Sequence, residues 1–261
     1  SLQDGEFPSG QENDAPTLGD QLTKWLPVFR GKQIHGVILL ASDTDANIQT
    51  TLANIQTSLD TSIKQIYNIS GAARPGSQAG HERIFGYLDG ISQPGLQGFT
   101  TTPLPGQQVV APGLILAGQD GDITAASRPA WTTGGSFLVF RQLRQLVPEF
   151  NKFVQDNALT IPGLTHQQGS DLLGARLIGR WKSGAPIDLT PMADDPTLGA
   201  DPQRNNNFNF THPGSDILSD QSHCPFAAHI RKVSPRADIT VTEATKRRIM
   251  RSSIPYGPEG V

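Results

Sequence analysis

A single cysteine, Cys224, stands in a chain of 261 residues. A disulfide framework needs pairs, and a cysteine-rich zinc site or an iron–sulfur cluster needs several thiolates, so all of these are excluded within the chain. The scarcity does not decide the compartment, because larger secreted proteins can fold without disulfides. Charge of one sign is lacking too. With 21 basic against 24 acidic residues there is no basic field for nucleic acid and no lysine-rich amphipathic run for a membrane surface. Long apolar runs are missing, and Gly36-Val37-Ile38-Leu39-Leu40-Ala41 is far too short to span a bilayer. Neither an H-E-x-x-H helix, a G-x-x-x-x-G-K-S/T loop nor a G-x-S-x-G elbow occurs, which speaks against zinc proteolysis, P-loop hydrolysis and α/β-hydrolase chemistry. There is no internal repeat of solenoid period. The chain opens on Ser1-Leu2 without an initiator methionine or an apolar leader, as expected of a processed chain or an excerpt.

What is present suits one large domain or two of ordinary size, with 36% hydrophobic residues. Residues 1–20 are loop-like in composition. Residues 34–41 read as a buried strand. The apolar positions Ile48, Leu52, Ile55 and Leu59 predict an amphipathic helix over 45–59, with N-cap candidates at Asp43 to Asp45. Residues 63–69 read as a short strand, and 81–89 as a strand ending at a glycine-bounded turn. Proline and glycine dominate 94–130, a connecting region with little regular structure. A strand is expected at 136–141, then helical spacing over 143–157 and again over 172–181. Residues 183–220 are loop-rich, and 226–232 and 249–256 are short ordered candidates. The alternation of strands and helices predicts an α+β fold of two similar modules, joined near 94–133.

Two segments stand out chemically. In Phe85-Gly86-Tyr87-Leu88-Asp89-Gly90-Ile91-Ser92-Gln93-Pro94 an acid sits between glycines at the end of an apolar stretch. On physical grounds alone an Asp-Gly turn is the plainer account of it. In Ser222-His223-Cys224-Pro225-Phe226-Ala227-Ala228-His229-Ile230-Arg231-Lys232 a histidine lies between an apolar patch and a basic cluster. A haem wants that arrangement: an imidazole for iron, apolar cover for the ring and cations for the propionates. An ordinary strand with a basic end is the alternative. Cys224 reads as a small buried hydrophobe.

With these strings quoted, a family resemblance becomes specific. Gly86-x-x-Asp89-Gly90 resembles the G-x-x-D-G signature of dye-decolorizing peroxidases. Gly135 to Leu143, Gly179-Arg180-Trp181-Lys182-Ser183-Gly184-Ala185-Pro186, the stretch around His229, and Ile249-Met250-Arg251-Ser252-x-Ile254-Pro255-Tyr256-Gly257 resemble further segments of that family. The segments keep one order over roughly residues 25–258, and their wording is most similar to that of the fungal secreted members.

The resemblance implies two ferredoxin-like α+β modules, 1–133 and 134–261, the second binding haem b (iron protoporphyrin IX). Compared with the family pattern, the first module lacks its opening strand–helix–strand and the second stops after the Arg251 segment, so both are expected to be incomplete. It implies His229 as the iron ligand, Asp89 and Arg251 as the distal pair that handles hydrogen peroxide, and Arg231 and Arg236 as candidate propionate partners. The implied activity is oxidation of bulky dyes and phenolic compounds in single-electron steps, favoured at acidic pH, by an extracellular enzyme. Tyr256 is a candidate relay for electrons, with Trp25, Trp131 and Trp181 behind it; core or rim packing explains the tryptophans as well. Two sequons, Asn68-Ile69-Ser70 and Asn209-Phe210-Thr211, suit secretion, though such triplets also arise by chance. A non-catalytic haem carrier, an inactive peroxidase fragment and a cofactor-free α+β interaction module are the competing readings. A carrier has no need of the Asp89–Arg251 pair.

Overall fold

The computed structural model describes residues 9–31, 34–74, 83–88, 90–245 and 247–258, in two units, Ser1–Ser70 and Gly71–Val261. Helices and short ladders are mixed along the chain, as an α+β fold requires. Among the described residues no helix is long and apolar enough to cross a membrane.

In the first unit α1 (Gln11–Asp14) is a single turn, and α2 (Asp45–Leu59) is the helix that the apolar spacing predicts. Thr44 caps α2 by accepting from the Asn47 amide at 3.3 Å, and Asp45 faces the positive end of the helix dipole. Ile48, Leu52, Ile55 and Leu59 are its half-buried positions. The strands expected at 34–41 and 63–69 do not form. Both segments lie outside any regular element, and Val37, Leu39 and Ile63 are exposed. A strand is defined by the ladder it shares with a neighbour, and among the described residues neither segment has one.

The second unit opens with a hairpin, β1 (Arg83–Ile84) against β2 (Tyr87–Leu88), antiparallel. Its two turn residues, Phe85 and Gly86, both take positive φ, 51° and 86°. A two-residue hairpin turn of this hand requires that at both positions. A turn therefore interrupts the single strand expected over 81–89, of which residues 81, 82 and 89 lie outside the described residues. The connecting region holds one parallel ladder, β3 (Gly95–Leu96) beside β4 (Val109–Val110), and short 3₁₀ turns, in keeping with its composition.

The strand expected at 136–141 likewise has no ladder among the described residues, and Leu138 and Val139 face solvent. Helix α3 (Val147–Asp156) starts later than the spacing over 143–157 suggests, because Pro148 is tolerated only in the first turn. Helix α4 (His166–Ile178) starts earlier and stops sooner than 172–181. A reciprocal Thr165–Gln168 capping box sets its start, and Gly179, at φ 96°, ends it. Three short helices follow: α5 (Pro196–Ala200), α6 (His229–Val233) and α7 (Val241–Thr245). Residues 249–256 lie outside any regular element. The core comprises Leu172, Ala175, Trp181, Ala185, Ile187, Leu198, Phe210, Cys224 and Ala228, so α4 and the loops behind it support the turn that carries His229.

Candidate functional site

His229 is the first residue of α6 and is exposed, while its neighbours on both sides are pulled inward. Ala228 is fully buried in the core. Ile230 fills the space beside Gly179, where an added Cβ would come within 2.3 Å of its Cγ1. Arg176, on α4, donates to the carbonyls of Gln221 and Ser222 at 2.7 and 3.1 Å and so ties down the approach to His229. His212 and His223 stack on that approach, with centroids 3.7 Å apart, and His212 meets the buried Asp188 at 3.0 Å.

Arg231 braces the helix from below. Its Nε and Nη2 reach the two carboxylate oxygens of Asp238 at 2.6 and 2.7 Å. Its Nη1 donates to the Cys224 carbonyl, and Nη2 also donates to that of Ile217. The guanidinium lies over the rings of Phe226 and Phe210, at 4.2 and 4.7 Å from their centroids. Every nitrogen of Arg231 is thus engaged inside the protein.

Arg236, at positive φ (50°), donates to the carbonyls of Asn206 and Phe208 and, at 2.6 Å, to the side-chain oxygen of Asn206. Burial pulls its pKa down to about 10, and Arg248 is near enough to push the same way. Arg248 donates to the Ser234 hydroxyl at 2.8 Å, but its Nε is buried with no hydrogen-bond partner. Desolvated guanidinium groups with an unsatisfied nitrogen call for an anion.

Asp89 lies outside the described residues. The residues before it are anchored: Tyr87 is buried, edge-on to Phe150 of α3, and its hydroxyl lies where a side chain on Gly174 of α4 would be. Burial, helped by Asp171, pushes the Tyr87 hydroxyl up to about 12, so it stays protonated. The residues after it meet Arg251. The Gln93 side chain accepts from the Arg251 amide at 3.0 Å and donates to the Arg251 carbonyl, while Arg251 Nη2 donates to the Ser92 carbonyl at 3.4 Å. Asn206 links this pair to the cationic cluster. Its amide donates to the Ser92 hydroxyl at 3.1 Å, and its oxygen accepts from both Arg236 and Arg180.

Tyr256 is half-buried, and its hydroxyl is 3.5 Å from the Leu143 carbonyl. Of the tryptophans, Trp181 is in the core, Trp25 is half-buried and Trp131 is exposed. The structure therefore joins the segment behind Asp89 to Arg251, and joins both to Arg236 through Asn206. Sequence reasoning missed Gln93, Asn206, Arg180 and Arg248. Gln93 and Arg180 lay inside family-like motifs without being singled out; Asn206 looked like one more polar loop residue. Among the described residues no group of three His, Cys, Asp or Glu side chains could hold a metal ion. A single imidazole ligand suits a metal that brings its other ligands with it. The part-buried cations Arg236 and Arg248 suit carboxylates on such a group.

Comparison with known proteins gives a consistent picture. The sequence profile described as the DyP dimeric alpha+beta barrel domain matches residues 1–75. A dye-decolorizing peroxidase of Mycena epipterygia is 57% identical over 263 residues, 99% of this chain and 50% of that protein. One from Auricularia auricula-judae is 55% identical over 265 residues, 99% of this chain and 51% of that protein. A crystal structure of the Auricularia decolorizing peroxidase superposes on 97% of this chain and 57% of its own, with a TM-score of 0.90. Another similar structure, with the same TM-score, is of a dye-decolorizing peroxidase whose heme pocket was engineered for asymmetric sulfoxidation. The chain spans about half the length of the curated relatives it matches.

Proposed function

Because the chain belongs to the dye-decolorizing peroxidase family, we propose that it is the part of a secreted haem peroxidase that carries the iron ligand and the peroxide-handling pair. The observation that carries this reading is the seating of Arg251 on Ser92 and Gln93, which follow Asp89 closely in sequence, with a part-buried cationic cluster one amide away. In this reading residues 134–261 are the haem-binding module and 1–133 its partner module.

His229 would hold the iron of haem b, and Arg236 with Arg248 would meet the propionates. Arg231 serves the same site by bracing the helix that carries His229. Bound haem would supply the metal that takes up hydrogen peroxide and the oxidising equivalents for aromatic dyes and phenols. The Asp89 carboxylate takes the proton from one peroxide oxygen and returns it to the other, so that water can leave. The Arg251 guanidinium, always charged, stabilises the negative charge that grows on the departing oxygen. A carboxylate base works at lower pH than an imidazole would, so turnover is expected to favour acid. Tyr256 would pass electrons from dyes too large to enter. Tyr256→Phe is expected to slow bulky-dye oxidation and to spare small phenols; equal rates on the dye would remove it from the path.

Haemin titration followed by peroxide and an anthraquinone dye at acidic pH tests the whole reading. A saturable Soret band should appear and be lost in His229→Ala. Bleaching should fall by roughly a hundredfold or more in Asp89→Asn while the Soret band persists. Haem uptake that His229→Ala leaves intact would sink the assignment.

A further inference from the structure

Arg251 is held by its backbone as well as by its guanidinium. The amide N–H and the carbonyl of this one residue are both taken by a single side chain, that of Gln93, far away in sequence. Gln93 is itself fixed: Gln107 donates to its carbonyl at 3.0 Å, and the neighbouring Ser92 receives the Asn206 amide. Among the described residues the chain around Arg251 belongs to no helix or ladder, so no regular hydrogen-bond pattern fixes its height. Farther along, Ala72 donates to the Pro255 carbonyl and Arg74 to that of Tyr256, which secures the end of the segment but not Arg251.

From this we infer that Gln93 is a positioning residue of the peroxide site: its side-chain amide substitutes for a strand partner and sets the placement of Arg251. The inference rests on the peroxidase reading and adds a determinant to it. A carboxamide suits the task because it donates and accepts at once without adding charge next to the guanidinium. Glutamate keeps the acceptor for the Arg251 amide but, once ionised, loses the donor to the Arg251 carbonyl. Leucine keeps bulk and loses both.

The test uses the full-length, haem-loaded protein with three variants, Gln93→Leu, Gln93→Glu and Arg251→Leu. The readouts are haem affinity from the Soret band, affinity for fluoride as a small anion that a distal guanidinium stabilises, and kcat/KM for peroxide. Gln93→Leu is expected to keep haem affinity, to weaken fluoride binding, and to lower kcat/KM for peroxide by roughly tenfold to a hundredfold, the scale of a reacting group misplaced by about 1 Å. Gln93→Glu should approach the unsubstituted protein at low pH and lose rate as the introduced carboxyl ionises, at around pH 4. That rise and fall is a signature a general loss of packing does not produce. Normal fluoride affinity and peroxide kinetics in Gln93→Leu, with both impaired in Arg251→Leu, would overturn the inference and leave the peroxidase reading standing. If Arg251→Leu itself changes nothing, the reading fails and the inference with it. If Gln93→Leu does not fold, the pH profile of Gln93→Glu decides, and a profile identical to that of the unsubstituted protein overturns the inference.

Discussion

Removing Asp238 should test whether Arg231 braces the His229 helix or serves as a ligand contact. The pair is buried, with the Arg231 side chain 2% exposed and that of Asp238 15%. Asp238→Leu strands a guanidinium that keeps only the Cys224 and Ile217 carbonyls. Breaking such a pair from one side costs about 3–5 kcal/mol, and the partial exposure of Asp238 places the expectation near the lower end, about 3 kcal/mol. In a domain of this size that corresponds to a drop of roughly 6–12 °C in melting temperature. The double variant Arg231→Met with Asp238→Leu removes both charges and leaves apolar groups among Phe210 and Phe226. It should be at least about 2 kcal/mol more stable than the two single losses added together. Urea denaturation of the four proteins gives the coupling directly, and haemin titration of the double variant gives the function. A brace predicts near-normal haem affinity wherever the fold has recovered. Additivity within about 0.5 kcal/mol, or a single-variant loss below about 1 kcal/mol, would refute the buried-pair argument. Lost haem affinity in a stable double variant would return Arg231 to the cofactor.

Two further outcomes follow from the same core. Gly179→Ala puts a side chain at φ 96° and drives it into Ile230, so a loss of about 2–4 kcal/mol is expected from backbone strain and overpacking together. Calorimetry checks it, and a change under about 1 kcal/mol would mean that Ile230 does not fill that space. Burial pushes the Cys224 thiol up to about 12, with Asp188 adding to the effect. At pH 8 only roughly one thiol in ten thousand would then be ionised, so a thiol reagent should label Cys224 only after denaturation. Labelling of the folded protein at the rate of a free thiol would contradict its placement.

Local signals were legible and long-range ones were not. Helix α2 could be read to its end residues because Thr44, Asp45 and the stripe from Ile48 to Leu59 all lie within one stretch of chain. Helix α4 begins at His166 rather than 172 and carries Gly169 and Gly174, residues of low helix propensity, in its interior. Both are packing choices: a Cβ on Gly169 would meet the Leu159 carbonyl oxygen at 2.1 Å, and one on Gly174 the Tyr87 hydroxyl at 2.0 Å. Residues 34–41, 63–69 and 136–141 carry strand-like sequence, yet a strand is a property of two segments, and sequence pattern records only one of them. The site divides in the same way. His229 and Arg251 were legible through motifs and the chemistry of their side chains. Gln93 and Asn206 were not, because each earns its role from a partner more than a hundred residues away.

That both connectors are amides has a physical reason, and Asn206→Asp exposes it. Asn206 accepts from Arg180 and Arg236 with one oxygen and donates to Ser92 with its nitrogen. A carboxylate of the same shape would pair with both guanidinium groups, and the Ser92 hydroxyl could turn to donate to it. The haem-free fold should therefore keep or raise its melting temperature. The cations would then be neutralised from within, and a propionate would have to compete with a resident carboxylate. Haem affinity is expected to fall by roughly tenfold, about 1.4 kcal/mol, while stability does not. A charge cluster that existed only to hold the loops would gain stability from the new carboxylate and leave haem affinity unchanged, and that result would separate Arg236 from the cofactor.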